Sequence, residues 1–287
     1  MIDPVHVIGA SGRSGLALCQ SLLTDGIPVL PVVRDPAKWA AAGLTGAPRV
    51  ADLRQPGPLR TALADATRIV SCAHARHTPA ILDAAPALAR LVLLGSTRKF
   101  TRWPDSHGNG VLAGEGALLA SAHPGVMLHP TMIYGAQGED NVRRLAALLR
   151  RLPVMPLPGG GRFLVQPIYQ GDVTRCIRAA LGVAWRSSSS MVIAGPHSVR
   201  YADFVRAIAD AAGSRRPFIL PFPAAPLVAA ARLTRHVTAL PAIQPEEIRR
   251  LMEDKAFDIA AMRETLGIEP ISLARGLALT FRSLHDG

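Results

Sequence analysis

The chain has 287 residues and a formal net charge of +11, with 49% hydrophobic and 18% charged residues. A chain of this length and composition can bury a sizeable core, which excludes an intrinsically disordered protein. Its basic residues, mostly arginines, are scattered rather than interleaved with aromatic residues, so we expect no nucleic-acid partner.

The three cysteines, Cys19, Cys72 and Cys176, lack the paired spacing of zinc sites and disulfide frameworks. They indicate buried thiols in a reducing compartment and no bound metal. The N-terminus enters a strand pattern directly, without a secretion signal. The longest apolar stretch, Pro221 to Ile243, contains four prolines and several basic residues, so it is a poor membrane span. We therefore expect a cytoplasmic protein without membrane association.

Up to about residue 130, short apolar runs alternate with Ala- and Leu-rich helical stretches, which is typical of βαβ units on a parallel sheet. The predicted strands are Val5 to Gly9, Ile27 to Val33, Arg49 to Ala51, Arg68 to Ala73, Arg90 to Gly95 and Gly125 to His129. This alternation predicts an α/β fold with a Rossmann-type doubly wound parallel sheet over residues 1–135.

After His129 the sequence is rich in turns, and we expect a smaller C-terminal α/β substrate lobe over residues 136–287, interleaved with the Rossmann core. A basic helix is predicted from Asn141 to Arg151. Further on, the sequence predicts a strand from Met191 to Ala194 and helices from Tyr201 to Ala212 and from Ile271 to Leu284.

Three glycines spaced three apart, Gly9, Gly12 and Gly15, lie between the first predicted strand and an amphipathic helix. Glycine at these places permits the tight turn, lets the backbone approach a pyrophosphate and allows close helix packing, while the helix N-terminus offers N–H groups to the anion. The turn also contains Ser11, Arg13 and Ser14. The sequence therefore predicts a nicotinamide dinucleotide as cofactor.

NAD sites usually place a carboxylate at the end of the second strand, but here that strand ends in Arg34. A guanidinium can hold a 2′-phosphate, with Arg13 as a second donor, so NADP(H) is favoured over NAD(H). Two alternatives stay open. Asp35 would be the NAD-type carboxylate if the register shifted by one residue, or Arg34 and Asp35 simply open the next helix.

The segment Ala51 to Leu53 follows the third strand, where a carboxylate can meet the adenine amino group. Asp52 and Leu53 are therefore candidates for cofactor binding. The alternative for Asp52 is a helix N-cap.

Together the motifs G-A-S-G-R-S-G, V-V-R-D-P, A-D-L, L-G-S-T, H-P-T-M-I-Y-G and Q-P-I-Y-Q-G-D, in this order, resemble the short-chain dehydrogenase/reductase superfamily. The similarity is greatest to its extended and atypical members of the NAD-dependent epimerase/dehydratase type. The second half also resembles sugar-nucleotide-epimerase-like reductases and the NADPH-binding accessory subunit of respiratory complex I.

The resemblance implies that Ser96 and Thr97, at the end of the fifth strand, lie beside the substrate. It also implies that the loop Pro130 to Ile133 faces the nicotinamide carboxamide. The segment Ser71 to His74, with Ala73 and His74 as cofactor contacts, would line the nicotinamide ribose.

The chain departs from the family at the Tyr and Lys that usually perform the proton chemistry. Counting back from Glu115, the Tyr position falls at His107 and the Lys position at Val111. Imidazole can still donate to a carbonyl oxygen, which makes His107 a candidate acid. A solvated loop histidine is the alternative.

Tyr134 is a second candidate acid, with core packing as the alternative. Asn141 and Gln166 are candidate substrate-binding residues. Tyr169 and Asp172 are expected to anchor the lobe, Asp172 as the N-cap of a helix beginning at Val173.

These features favour an NADPH-dependent reductase or epimerase acting on a small-molecule carbonyl or sugar-nucleotide-like substrate. The absent dyad equally suggests a non-catalytic NAD(P)H-binding sensor or assembly factor. A third hypothesis is an interaction module that uses Pro221 to Ile243. The sequence leaves the oligomeric state open, with a homodimer compatible.

Overall fold

A seven-stranded parallel sheet organises the computed structural model, which describes residues 3–136, 141–226 and 245–282. Its strands are β1 (Val5–Ile8), β2 (Val29–Val33), β3 (Arg49–Val50), β4 (Arg68–Ser71), β5 (Arg90–Leu94), β6 (Gly125–Pro130) and β11 (Ser188–Ile193). They lie in the order β11-β6-β5-β4-β1-β2-β3, and all neighbours are parallel. This is the doubly wound order, so the predicted fold class is confirmed.

Helices cover both faces of this sheet, because its strands are apolar on both sides. The helices of this part are α1 (Arg13–Thr24), α2 (Pro36–Ala40), α3 (Pro56–Leu63), α4 (Thr78–Ala84), α5 (Ser106–Leu119), α7 (Gln170–Gly182) and α10 (Ala260–Leu266). One core joins α1, α7 and α10 to the sheet, and a second core on the opposite face joins α3, α4 and α5 to it.

The remaining elements form a smaller lobe around a third core. Its short strands pair as three ribbons: β7 (Ile133–Tyr134) with β10 (Ile168–Tyr169), β8 (Val154–Pro158) with β13 (Phe218–Phe222), and β9 (Leu164–Val165) with β12 (Val199–Arg200). Its helices are α6 (Asn141–Leu149), α8 (Tyr201–Ala211) and α11 (Leu273–Arg282), and the short α9 (Pro245–Arg250) follows the lobe's last strand. Since α7, β11 and α10 return to the large sheet, the two parts are interleaved along the chain.

All six strands predicted in the first part are present, with ends that differ by at most two residues. The helix predicted to begin at Val173 begins instead at Gln170, with Tyr169 at its N-cap position, so Asp172 is not its N-cap. The end of the predicted C-terminal helix, residues 283 and 284, lies outside the described residues, as do residues 227–243 of the long apolar stretch.

All three cysteines are free. Burial raises the pKa of Cys19 and of Cys176 to about 12, so these thiols are inert packing groups. Within the part of the chain that the structure describes, no helix combines the length and apolar character needed to cross a membrane.

Candidate cofactor and active site

The glycine turn lies where the strand order reverses, between β1 and β4. Gly9 has φ +75°, and a Cβ on it would lie 3.3 Å from the amide nitrogen of Ala73 at the end of β4. A Cβ on Gly15 would lie 2.9 Å from Ala10 Cα and still closer to the Gly9 carbonyl. The turn and α1 therefore approach each other more closely than any side chain allows, at the switch point where doubly wound sheets bind ligands in a crevice.

The N-terminus of α1 points at this crevice. Gly12 occupies the N-cap position, and neither a side-chain cap nor an acidic residue in the first turn satisfies the helix end. Gly12 and Arg13 are exposed, whereas Ser11 and Ser14 are half-buried, with Ser14 Oγ 3.4 Å from Gln170 Oε1. Uncapped N–H groups and the positive end of the helix dipole suit a phosphate.

Arg34 is exposed directly beyond the last residue of β2. Asp35, next to it, accepts a hydrogen bond from the amide of Ala37 and caps α2. Asp35 therefore opens α2, and the backbone engages one of its two carboxylate oxygens.

Asp52 lies near Arg34, whose charge contributes to lowering the pKa of the Asp52 carboxyl after the larger effects of the hydrogen bonds from Arg54. Arg54 binds both Asp52 oxygens, at 2.7 and 3.1 Å. The following helix is capped at Gln55, so Asp52 is not its N-cap, and Leu53 is half-buried beside it. Arg54 was not singled out in the sequence analysis, although it lies two residues after Asp52 and could have been considered as its partner.

At the end of β4, His74 meets the beginning of α5. Its ring packs edge-on against the ring of His107, with centroids 4.1 Å apart. His107 lies in the first turn of α5, which Asp105 caps, so it is a helical residue and not the loop residue of the alternative interpretation. One turn later on the same helix, Val111 is fully buried.

Both imidazoles are held neutral. Burial, followed by the charges of His107 and Arg76, lowers the pKa of His74 to about 4. Burial and the charge of Arg98 also lower the pKa of His107. Since the Arg76 amide and Nε point at His74 Nδ1, at 3.0 and 3.2 Å, Nε2 of His74 carries the proton. A neutral His107 can donate one N–H and accept at its other nitrogen.

The loop after β5 carries Ser96 and Thr97. The Ser96 hydroxyl accepts from the amide of Arg98, and the Thr97 hydroxyl donates to the carbonyl of Pro130 at 3.3 Å. Both residues are half-buried. The contact between Thr97 and Pro130 ties the ends of β5 and β6 together at one edge of the sheet.

A buried triad beneath Ser96 escaped the sequence reasoning. His129 Nδ1 accepts the Ser96 amide at 3.2 Å, and its Nε2 donates to Glu115 at 3.1 Å. Lys99 donates to both Glu115 oxygens at 2.5 and 2.6 Å. The one signal was a histidine inside the apolar run G-V-M-L-H-P. The triad fixes the backbone position of Ser96.

The loop after β6 contains a polar atom without a protein partner. The hydroxyl of Thr131 is buried and makes no hydrogen bond within the described residues. Pro130 is buried in the last position of β6, and Ile133 is half-buried at the start of β7. An orphaned hydroxyl beside the sheet end fits a group bound in this crevice.

Tyr134 lies in the core of the smaller lobe and is 1% exposed. Its ring packs against Tyr169, with centroids 5.8 Å apart, and a Cβ on Gly276 of α11 would lie 2.8 Å from Tyr134 Cζ. Burial, with the charge of Asp172, raises the pKa of the Tyr134 phenol. These contacts are those of a packing tyrosine.

The side-chain amides of the two candidate substrate-binding residues are hydrogen-bonded to backbone groups. Asn141 donates to the carbonyl of Ile133 at 3.2 Å and accepts from Val142 at the start of α6. Gln166 is buried, donates to Gly195 and accepts from Phe257 at 2.7 Å. Both amides therefore join segments of the lobe.

Asp172 anchors the lobe as expected. Its buried carboxylate accepts from the amide of Ile271 at 2.9 Å and from Arg175. It does so from inside the first turn of α7, where a negative charge also complements the helix dipole.

The segment that follows α9 contacts the loop after β5. Buried Glu253 accepts from the Thr101 hydroxyl at 2.9 Å and from the Arg102 amide at 2.6 Å. Nearby, Asp105 pairs with Arg98 and lies 3.8 Å from Arg250. These contacts hold the loop of Ser96 from outside the Rossmann part.

Residues 9–116 match the protein-family model described as NAD(P)H-binding. No curated protein matches the chain significantly. Among solved structures, MoeE5 in complex with UDP-glucose and NAD is 19% identical with a TM-score of 0.74, covering 99% of both chains. UDP-glucose 4-epimerase from Thermotoga maritima, solved with UDP-glucose, is 13% identical with a TM-score of 0.75 and the same coverage.

A short-chain dehydrogenase/reductase superfamily protein from Agrobacterium tumefaciens with bound NAD is 16% identical with a TM-score of 0.72, covering 99% of this chain and 98% of that one. At such identities the likeness establishes the fold. Residues 9–116 thus resemble NAD(P)H-binding domains, and the whole chain has the fold of these short-chain dehydrogenase/reductase and UDP-glucose 4-epimerase structures.

Proposed function

We propose that this protein is an NADP(H)-dependent reductase or epimerase for a small carbonyl or sugar-nucleotide-like substrate, working without the usual Tyr–Lys dyad. The observation that carries the proposal is the set of groups gathered at the switch point. There, the uncapped end of α1, the Ser96 loop and the pair His74–His107 all lie at the carboxyl edge of one parallel sheet. Ligands of doubly wound sheets bind at this edge.

The preference for NADP(H) rests on Arg34. Its guanidinium follows β2 and is exposed, while one oxygen of the Asp35 carboxylate is engaged in capping α2. Arg34 and Arg54 share the neighbourhood of Asp52, so a phosphate bound here would meet two guanidinium groups. A 2′-phosphate would accept the bidentate hydrogen bonds that guanidinium groups favour.

Bound here, the dinucleotide supplies or accepts a hydride. The uncapped N–H groups of α1 would bind the pyrophosphate, and the Thr131 hydroxyl would find a partner at the nicotinamide end. Neutral His107 would donate the N–H of one ring nitrogen to the substrate oxygen and take up a proton from solvent at its other nitrogen, while Ser96 orients the substrate oxygen. The triad under Ser96 keeps the loop in position.

The cofactor proposal is tested by titrating the purified protein with NADPH and NADH at one fixed salt concentration. NADPH should bind at least about tenfold more tightly, or roughly 1.4 kcal/mol, and Arg34→Ala should erase the difference. Lys38→Ala, which removes an exposed cation one turn further along α2, is the matched control and should keep it. Equal affinities in the unaltered protein would refute the preference.

The catalytic proposal is tested by following NADPH oxidation at 340 nm with a panel of aldehydes, ketones and sugar nucleotides. His107→Ala should lower turnover by about 10²-fold or more at unchanged NADPH affinity. The exposed His197 offers a control, and His197→Ala should leave turnover intact.

A non-catalytic NAD(P)H-binding sensor is the second candidate, favoured by one observation. Val111, in the position counted for the Lys, is fully buried, and the Tyr134 phenol packs in the core of the smaller lobe. This candidate predicts tight binding with no hydride transfer to any carbonyl in a single-turnover experiment, so the two candidates differ in that readout.

A further inference from the structure

An exposed apolar face belongs to the ribbon formed by β8 and β13. Side chains alternate across a strand, so Phe218, Leu220 and Phe222 share one face. They are 66%, 39% and 37% exposed, and Phe218 lies opposite Val154, which is 41% exposed. This face carries apolar side chains where a half-solvated ribbon normally carries polar ones.

The opposite face of the same ribbon shows that the register is fixed. Ile219, Met155 and Leu157 point into the core of the smaller lobe. A shift by one residue would expose these side chains, so the outward apolar row is not an accident of pairing. The row is a surface feature that packing within the described chain does not use.

Arginines mark one end of the ribbon. Arg150 and Arg151 precede β8, and Arg215 and Arg216 precede β13. Because the two strands are parallel, with the Phe218 amide bonded to Pro153, all four exposed arginines lie at the same end. Arg216 pairs with Asp210, and Arg150 and Arg215 keep this end positive.

We propose that the ribbon docks the protein onto an anionic lipid surface, with the aromatic row entering the interface and the arginines meeting the phosphates. Composition predicted no membrane association, and the ribbon is the feature that argues for it. Interfacial binding combines buried apolar area with attraction of arginines to acidic headgroups. The proposal is independent of the cofactor chemistry.

The test is flotation of the full chain with phosphatidylcholine vesicles, with and without phosphatidylglycerol. Binding should require phosphatidylglycerol and fall with added salt. The double variant Arg150→Gln/Arg215→Gln should weaken it about thirtyfold. Arg90→Gln/Arg186→Gln removes the same charge from two exposed arginines elsewhere and should weaken it far less.

A second pair of variants tests the contribution of the apolar row to vesicle binding. Phe218→Ser should weaken vesicle binding about tenfold, whereas Leu88→Ser, at the 91% exposed Leu88, should not. Circular dichroism melts report whether each variant folds.

Several results would overturn the proposal: no vesicle binding, equal losses in the two arginine pairs, or dimerisation in sedimentation that Phe218→Ser abolishes while vesicles stay unbound. In the second case the overall charge of +11 alone drives adsorption, and in the third the ribbon is a dimer interface.

Discussion

Replacing Gly12 and Gly15 separately by alanine should separate the cofactor role of the glycine turn from its structural role. A Cβ on Gly15 would enter the space of Gly9 and Ala10, so α1 must shift from β1. Such overpacking costs about 2–3 kcal/mol, which lowers Tm by roughly 5–10 °C. A Cβ on Gly12 lies 3.2 Å from the Gly9 carbonyl oxygen, and Gly12 has an ordinary extended conformation. Gly12→Ala should therefore fold with nearly unchanged Tm.

The binding readout should show the opposite pattern. The Gly12 methyl would stand where the pyrophosphate approaches the helix end, so one or more charge-assisted hydrogen bonds would be lost and NADPH affinity should fall by about 10- to 100-fold. Thermal melts followed by circular dichroism and titrations of NADPH fluorescence measure both effects. A Gly15→Ala variant as stable as the parent would refute the close approach, and a Gly12→Ala variant that binds NADPH normally would refute phosphate binding at this helix end.

Three further outcomes follow from the buried polar groups and from the smaller lobe. Burial and the charge of Lys99 lower the pKa of His129 to about 4, against about 6.5 unfolded. The neutral ring therefore contributes about 3 kcal/mol to the free energy of unfolding above pH 6.5, and this contribution is lost as the pH falls through 4. Denaturant titrations from pH 7 to 4 should show that the free energy of unfolding of His129→Gln declines less steeply than that of the parent. Gly276→Ala should lower Tm because the added methyl group would collide with the Tyr134 ring. Tyr134→Phe removes the phenol hydroxyl and should restore part of this loss in the double variant. A double-mutant cycle without coupling between the two changes would contradict the contact. Asp172→Ala should cost about 2 kcal/mol in urea unfolding, because the amide of Ile271 loses its acceptor.

The elements that sequence predicted well are those whose signals are local. The apolar strands and the glycine turn can each be recognised from a few consecutive residues. The alternation of strands and helices along the chain then predicts a parallel, doubly wound sheet. Asp172 shows the limit of such reasoning. An Asp before an apolar run is typical of an N-cap, but its carboxylate is held by a residue 99 positions away, and the helix begins earlier.

The residues that line the candidate site could be predicted from the sequence, but the buried residues that hold them in position could not. The triad of Lys99, Glu115 and His129 joins a loop, a helix and a strand, and only the tertiary fold brings them together. Likewise Glu253 reaches Thr101 across 152 positions. Nothing in the local sequence around either carboxylate specifies its partner.

The most direct test of the account is a crystal structure of the protein with NADPH. We predict that the pyrophosphate lies against the amides of the first turn of α1, the 2′-phosphate at Arg34, and the nicotinamide between Thr131 and Ser96. A dinucleotide bound elsewhere, or no dinucleotide at millimolar concentration, would contradict it.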